Sequence, residues 1–325
     1  MISAVSQTPA PPGPCGTVSF RSQRKPNARL SCRTDGYLPG RRNVEGVCPL
    51  EQASEPLIGA SAALQAVEEE IGYAIRCDAK VLITGESGVG KELVARRIHE
   101  NSARKKGAFV AINCAGVPDS LLESELFGHV RGSFTDAYRD KPGLLEAAHQ
   151  GTVFLDEIGE MSQRMQAVLL RFLETGEIQR VGSDRRLSRV DTRIIAATNR
   201  NLAERMSAGA FRSDLYYRIN VIHITVPPLR QRREDIPLLL KHFLRMYAQR
   251  YGVAEPVIVS DALALLVDYS WPGNVRELKN VVERLAVRGN LTSVLPTELP
   301  PEIAPVARRA IAAEPPLRQK ATAAF

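Results

Sequence analysis

The 325-residue sequence has no apolar run that approaches the roughly 20 residues of a membrane-spanning helix. Its first residues lack the charged start and the apolar stretch of a signal peptide. Its five cysteines are widely and irregularly spaced and form no Cys-x-x-Cys pair, which argues against a zinc site and a disulfide framework. These absences predict a cytoplasmic protein with reduced thiols and no membrane partner.

The net charge of +7 is concentrated near the two ends of the chain, and the middle is neutral. Residues 1–50 hold seven basic and two acidic side chains, and residues 301–325 hold four basic and two acidic ones. A basic patch on a folded surface would indicate nucleic-acid binding, whereas basic tails indicate it only weakly. Flexible, solvated tails are the simpler interpretation.

Composition divides the chain into four parts. Residues 1–54 are basic and rich in Pro and Gly without periodicity, so we expect them to be disordered. Residues 55–228 alternate short apolar runs with helical stretches, which predicts an α/β domain with a parallel sheet. Residues 229–292 have a helical pattern, and residues 293–325 resemble a Pro- and Ala-rich tail. The predicted strands are residues 80–84, 109–112, 152–155, 193–197 and 221–226.

A phosphate-binding loop follows the first predicted strand and precedes a predicted helix. Its glycines let backbone N–H groups surround phosphates, Lys91 supplies a cation, and the helix amino terminus adds a favourable dipole. Many such loops place Ser or Thr after the lysine as a magnesium ligand, and here that position is Glu92. The pattern predicts that ATP binds to Gly85, Glu86, Ser87, Gly88, Val89, Gly90, Lys91 and Glu92.

Polar side chains follow two further predicted strands. Carboxylates at the carboxyl end of a buried strand lie where ligands bind in open α/β sheets. We therefore expect Asp156 to hold Mg²⁺ through water and Glu157 to polarise the water that attacks the phosphate. Asn199 ends the next strand, where its amide could sense the γ-phosphate, although asparagine at such a place is more often a helix cap.

One helix of the second domain begins near Asn274, with Glu277 three residues on, in a pattern typical of reciprocal helix capping. Arg276 falls in its first turn, where the helix dipole disfavours a cation unless an anion is near. A bound phosphate would supply that anion, and the alternative is an ordinary surface arginine.

Residues 56–290 contain eight short motifs, which follow one another along the chain. They are Gly85 to Glu92, Asn113-Cys114-Ala115, Glu125-Leu126-Phe127-Gly128, Gly132 to Ala137, Phe154 to Ile158, Phe211 to Arg218, Pro228 to Arg232 and Trp271 to Leu278. With these motifs the chain resembles the AAA+ domain of bacterial sigma-54-dependent transcription activators, the enhancer-binding proteins. The resemblance implies an AAA+ P-loop NTPase sheet domain followed by a small all-helical lid domain.

The resemblance also implies roles for particular residues. Hexameric rings bind ATP between subunits, and Arg212 and Arg218 correspond to arginines that reach a neighbour's γ-phosphate, although either could be a surface salt-bridge residue. Arg276 corresponds to the second sensor, and Asn113 to the residue that restrains Glu157 until ATP is sensed. An acidic residue after the lysine is usual in the family, which accounts for Glu92. The segment expected near the adenine is Ile58 and Gly59.

In this family a surface loop contacts the sigma factor of the sigma-54 RNA polymerase holoenzyme. Here Asp136 replaces the second glycine of the family's loop tip, and aspartate adopts turn conformations less freely than glycine. The alternative is a structural hairpin in which Phe134 is buried. The predicted sigma contact comprises Gly132, Ser133, Phe134, Thr135, Asp136 and Ala137.

The leading hypothesis is an ATPase that remodels the sigma-54 holoenzyme to activate transcription. A second is a nucleotide-gated regulator in which Asp136 has uncoupled the ATPase from the sigma factor. A third is a fragment of a longer activator, because the sequence shows no receiver domain and no helix-turn-helix. Without a helix-turn-helix, DNA binding is not expected.

Overall fold

The computed structural model describes residues 57–134, 137–183, 186–288 and 292–304, which lie within one compact unit. The predicted disordered segment 1–54 lies outside the described residues, as does the part of the predicted tail beyond residue 304. Within the described residues, no helix is both long and apolar enough to cross a membrane.

The strands, in chain order, are β1 Val81–Thr84, β2 Phe109–Asn113, β3 Gly128–His129, β4 Lys141–Pro142, β5 Thr152–Asp156, β6 Glu177–Gln179, β7 Arg186–Arg189, β8 Arg193–Thr198, β9 Ile222–Thr225, β10 Val257–Ile258 and β11 Ser293–Val294. The α-helices are α1 Ala62–Arg76, α2 Lys91–Asn101, α3 Asp119–Phe127, α4 Leu144–Ala147, α5 Gln163–Thr175, α6 Leu202–Ser207, α7 Ser213–Ile219, α8 Ile236–Tyr251, α9 Ser260–Asp268 and α10 Asn274–Val287.

A five-stranded parallel sheet in the order β2-β5-β8-β1-β9 forms the centre of the first domain. These are the five strands that the apolar runs predict, so the predicted α/β fold is confirmed. The central strands are buried on both faces, which is why their sequences are apolar without alternation. Leu82, Leu155 and Ala196 pack into the core on one face, and Ile83 and Phe154 pack into the core on the other.

The carboxyl ends of these parallel strands lie along one edge of the sheet. Thr84 of β1 is opposite Thr198 of β8, and Asp156 of β5 is opposite Asn113 of β2. The connection after β1 is the phosphate loop, and α2 begins directly after it. The topology thus collects the predicted polar residues at a single edge.

Helices α8, α9 and α10 form the second domain around a core that includes the fully buried Trp271. The predicted capping role of Asn274 is wrong. Gly273 is the N-cap residue, and its N–H donates to the Glu277 carboxylate at 2.8 Å, so only the Glu277 half of the capping pattern exists. Asn274 itself is buried with φ 51° and uses its side chain elsewhere.

Residues 293–304 differ from the predicted tail because they pack on the helical domain. Strand β11 pairs with β10 in parallel, and Leu299 and Ile303 are buried in the same core as Trp271. Apolar side chains between the prolines bury enough surface to hold an otherwise irregular segment. The described helical domain therefore extends to residue 304.

Two small antiparallel pairs, β3 with β4 and β6 with β7, lie apart from the central sheet. They contact each other through Val181, whose N–H donates to the Gly128 carbonyl at 2.9 Å and whose carbonyl accepts from the Val130 N–H at 3.1 Å. The predicted sigma-contact loop connects β3 to β4, so this contact ties its base to the second hairpin.

Candidate nucleotide site

Lys91 anchors the phosphate loop from the first position of α2. Its side chain is 7% exposed, and its Nζ donates to the carbonyls of Gly85 at 3.0 Å and Glu86 at 3.3 Å. Gly88 has φ 79°, and a Cβ there would lie 2.4 Å from the Gly273 carbonyl oxygen. Glycine is thus needed at this position because the lid approaches the loop so closely.

Asp156 and Glu157 stand beside that lysine at the end of β5. Lys91 Nζ lies 3.4 Å from one Glu157 carboxylate oxygen, and the other accepts from the Asn199 backbone N–H at 3.0 Å. Glu157 has φ 52°, in the left-handed region that non-glycine residues seldom adopt. Burial raises the pKa of Asp156, and the neighbouring Glu157 charge adds to this rise. The structure thus brings a cation and two carboxylates together.

The two predicted asparagines lie near these carboxylates in different ways. Asn113 is opposite Asp156 in the sheet, but its side-chain oxygen accepts from the Ala115 N–H at 2.8 Å. The Glu157 carboxylate is bonded to Lys91 and Asn199 rather than to Asn113. Asn199 contributes its backbone N–H here, whereas the sequence predicts a role for its side-chain amide.

Arg276 reaches the loop from the lid. Its Nη1 donates to the Ser87 hydroxyl at 3.0 Å, and its backbone N–H lies 3.3 Å from the Gly88 carbonyl. The structure therefore places this arginine at the phosphate loop.

Sequence reasoning missed a second set of contacts between the lid and the loop. Arg230 binds the Glu86 carboxylate with both of its terminal nitrogens, at 2.8 and 2.5 Å, and Asn274 Nδ2 donates to the same carboxylate at 3.1 Å. These hydrogen bonds, of which those from Arg230 have the largest effect, lower the pKa of Glu86 to about 2. The only signal in the sequence was the presence of the Glu86 carboxylate within the phosphate loop. The other loop carboxylate, Glu92, pairs with Arg96 on α2 at 2.8 Å.

A cleft of about 640 Å³ opens between the loop and the lid. Its lining residues include Ser87, Gly88, Gly90, Lys91, Glu92, Asp156, Glu157 and Arg276. An apolar pocket adjoins it, lined by Leu57, Ile58, Val89, Leu93, Phe243 and Val275 among others. Ile58 thus lies where an adenine could pack. Gly59 instead packs against Asp235, whose carboxylate would lie 2.6 Å from a Cβ at that position.

Arg212 is the N-cap residue of α7 and Arg218 lies in its last turn, and both are exposed. Arg212 forms a two-armed ion pair with Asp214, at 3.0 and 2.6 Å, and Arg218 donates to the Leu173 carbonyl at 3.2 Å. Within one subunit these contacts do not involve the phosphate loop.

Phe134 of the predicted sigma-contact loop is 40% exposed, and its ring centre lies 4.9 Å from that of His129. The Gly132 N–H donates to the Ala137 carbonyl at 2.8 Å, which closes the turn, and Ser133 bonds to Val130 at the base. Thr135 and Asp136 lie outside the described residues. The described part is thus a surface turn with a partly exposed aromatic ring.

The fold and this site define a P-loop nucleotide-binding protein of the AAA+ class with a helical lid. The chain belongs to the family of the sigma-54 interaction domain, which matches residues 57–225, and the AAA+ ATPase lid domain matches residues 230–315. The two matches meet between β9 and the first residues of the lid.

Curated relatives of the family resemble the chain closely over this region. It is 52% identical to the transcriptional regulatory protein ZraR of Salmonella typhimurium over 76% of this chain and 56% of that protein. It is 53% identical to the regulatory protein AtoC of Escherichia coli over 69% and 49%. It is 54% identical to the Nif-specific regulatory protein of Klebsiella pneumoniae over 72% and 44%. The chain thus spans about half the length of these relatives.

Solved structures resemble the fold as well. NtrX from Brucella abortus in complex with ADP has a TM-score of 0.70 and 39% identity, covering 80% of this chain and 58% of that one. NtrX in complex with ATP has the same TM-score and identity, covering 79% and 60%. The neighbours were therefore solved with both nucleotides.

Proposed function

We propose that the chain hydrolyses ATP and uses the energy to remodel the sigma-54 RNA polymerase holoenzyme, which opens promoters for transcription. The observation that carries the proposal is the convergence of Lys91, Asp156, Glu157 and Arg276 on one cleft in a chain that also presents Phe134 on a surface loop. The four residues of the cleft support phosphate chemistry, and the exposed Phe134 supports contact with a protein partner.

The residues of the cleft fit a magnesium-bound nucleoside triphosphate. The Lys91 ammonium is almost buried, and Arg276 adds a second cation beside the loop. Among the residues that the structure describes, no group of three or more acidic, histidine or cysteine side chains could hold a metal ion. Mg²⁺ at phosphate sites is usually held by one or two carboxylates together with the phosphates themselves. Asp156 would supply that carboxylate, and Mg²⁺ when bound would neutralise phosphate charge.

Glu157 is the residue for water activation. Its carboxylate would accept a proton from the water whose oxygen attacks the γ-phosphorus, while the bond to the leaving ADP oxygen breaks. Lys91 and the loop N–H groups would hold the phosphates, and the apolar pocket at Ile58 would take the adenine. Asn113 and Asn199 would couple the position of the Glu157 carboxylate to the presence of the γ-phosphate.

A ring of six subunits, with ATP between neighbours, would complete the site. Arg212 and Arg218 are exposed at one end and along one side of α7, so they can reach a neighbouring subunit. An arginine supplied across an interface stabilises the charge that develops on the transferred phosphoryl group. The loop from Gly132 to Ala137 would contact the sigma factor.

Promoter opening tests this function. The purified protein, ATP and sigma-54 holoenzyme should form open complexes on a supercoiled or pre-melted template, and the Lys91→Ala variant should form none. Hydrolysis of ATP without any opening on either template would contradict the proposal.

A second candidate function follows from Asp136, which places a carboxylate two residues after Phe134 in the sequence of the loop tip. In this case the chain is a nucleotide-gated regulator that no longer remodels the sigma factor. Restoration of sigma-54 binding in the Asp136→Gly variant, with none in the wild type, would favour this candidate.

A further inference from the structure

Glu86 is the second residue of the phosphate loop, and its carboxylate points to the lid. Arg230 lies in the short helix Leu229–Gln231 at the start of the lid and donates hydrogen bonds to both carboxylate oxygens. Two parallel N–H···O bonds of this kind fix geometry as well as charge. The first lid segment is thereby attached to the loop.

Asn274 attaches a second lid segment to the same place. Its Nδ2 donates to Glu86 and to the Ser87 carbonyl, both at 3.1 Å, and its Oδ1 accepts from the Leu229 N–H at 2.8 Å. Its positive φ is an uncommon backbone conformation, which such contacts can hold in place. Arg276 follows two residues later, so the position of Asn274 determines where Arg276 meets the loop.

A free carboxylate at this position would oppose nucleotide binding. The loop must receive a triphosphate, and a negative charge on a residue of the loop itself repels it by Coulomb's law. Both partners of the ion pair are about 40% exposed, so the pair adds little to global stability. Its effect is therefore expected on ligand binding rather than on folding.

We propose that Glu86 and Arg230 are positioning residues whose ion pair holds the lid on the phosphate loop and cancels the carboxylate charge before nucleotide binds. The pair thus sets nucleotide affinity and leaves the hydrolytic step to Glu157. This inference rests on the proposed function only in taking a nucleotide as the ligand, and it requires no contact with the sigma factor.

A double-mutant comparison tests the pair. Binding of ADP and of a non-hydrolysable ATP analogue is measured by calorimetry for the wild type, Glu86→Gln, Arg230→Met and the double variant. Arg230→Met leaves the carboxylate uncompensated, so affinity should fall about tenfold. Glu86→Gln should cost about threefold, because the neutral amide keeps a hydrogen bond but loses the ion pair. The double variant should bind like Glu86→Gln, and therefore better than Arg230→Met.

The control variant is Arg233→Met. Arg233 lies three residues after Arg230 in the lid and pairs with Asp268 at 2.8 Å, away from the loop. Arg233→Met therefore changes the net charge by the same amount as Arg230→Met. It should bind nucleotide like the wild type. Arg230→Lys keeps the charge without the two-armed geometry, so its affinity should lie between those of Arg230→Met and the wild type, which also checks that the site tolerates substitution. The cost of Arg230→Met should be larger in KM for ATP than in kcat, because the pair acts on nucleotide binding.

Losses in the double variant that equal the sum of the single losses would overturn the inference, as would unchanged binding in Arg230→Met. A wild-type protein that binds nucleotide but opens no promoter contradicts the proposed function instead, and the affinity ranking of the variants is then still decisive.

Discussion

The carboxylate of Glu157 accepts a hydrogen bond from the backbone N–H of Asn199 at 3.0 Å. This bond joins the end of β5 to the end of the adjacent β8, and the second carboxylate oxygen lies 3.4 Å from Lys91. Each oxygen of the proposed base thus has one partner within the subunit and keeps a further lone pair that can accept from a water. The two contacts therefore orient the Glu157 carboxylate without preventing it from taking a proton.

Replacement of Glu157 by glutamine separates binding from hydrolysis. The amide keeps an oxygen that can accept from Asn199 but cannot take a proton from water, so we expect hydrolysis to fall by about 10²- to 10⁴-fold. Nucleotide affinity should change little, and ATP should remain bound. Phosphate release and the nucleotide content of the isolated protein measure the two effects. Turnover within tenfold of the wild type would exclude Glu157 as the base.

Arg218 is expected to act on a neighbouring subunit. Arg218→Ala should lower ATP turnover by about 10³-fold, as for an arginine supplied across an interface, without loss of nucleotide binding. Mixing this variant with the Lys91→Ala variant should restore part of the activity, because some interfaces then combine an intact loop with an intact arginine. The turnover of mixtures in different ratios measures this. Failure of every mixture to recover activity would contradict a role between subunits.

The fold could be predicted because its signals are local. Each strand of the sheet is a short apolar run, and burial on both faces requires that pattern wherever the strand lies in the sheet. The phosphate loop was equally visible, since its glycines and Lys91 are contiguous. The tertiary contacts of the lid could not be predicted this way. Asn274 matches a capping pattern, yet in the folded chain it bonds to Glu86 and Leu229, which are distant in sequence.

The packing of the last described segment could not be predicted from the sequence either. Residues 293–304 have the composition of a tail, and only the presence of a partly open helical core makes burial of Leu299 and Ile303 favourable. For the same reason, sequence alone did not connect Asp235 with Ser61, although both are buried. Such contacts depend on which surfaces meet after the elements have formed.

Asp235 is expected to stabilise the fold strongly. Its carboxylate is fully buried and accepts from the N–H groups of Ala60 and Ser61 and from the Ser61 hydroxyl, at 2.7 to 2.9 Å. Asp235→Ala would leave the two buried Ser61 donors and the partly buried Ala60 N–H without this partner, so the free energy of unfolding should fall by about 2–4 kcal/mol. Denaturant unfolding measures the change. The control is Asp268→Ala, because that carboxylate is 84% exposed, and it should change stability by less than about 0.5 kcal/mol. Equal effects of the two variants would contradict the prediction.

His99 is expected to make stability depend on pH. Its ring is buried with Nδ1 2.9 Å from the Thr152 hydroxyl, and burial lowers its pKa, although the nearby Glu100 charge opposes this. The unfolded chain then binds a proton near pH 6.5 while the native chain does not. This contribution is therefore present above about pH 6.5 and is lost as the pH falls toward the lower native pKa, by up to about 1.4 kcal/mol per pH unit.

The measurement compares urea unfolding between pH 7.5 and 5 for the wild type and His99→Gln. The variant should show the shallower loss of stability with acid, because it has no imidazole at this position to take up a proton on unfolding. Identical slopes for the wild type and His99→Gln would show that His99 takes up its proton in the native state as readily as in the unfolded chain.

Binding to the sigma-54 holoenzyme in the presence of a transition-state analogue, ADP with aluminium fluoride, tests the central claim most directly. The account predicts a stable complex that depends on the analogue and is lost in the Phe134→Ala variant, because the loop carries the contact. The absence of any complex for the nucleotide-loaded wild type, while the Asp136→Gly variant forms one, would contradict remodelling and favour the nucleotide-gated regulator. The absence of a complex for both would contradict the assignment of the loop itself.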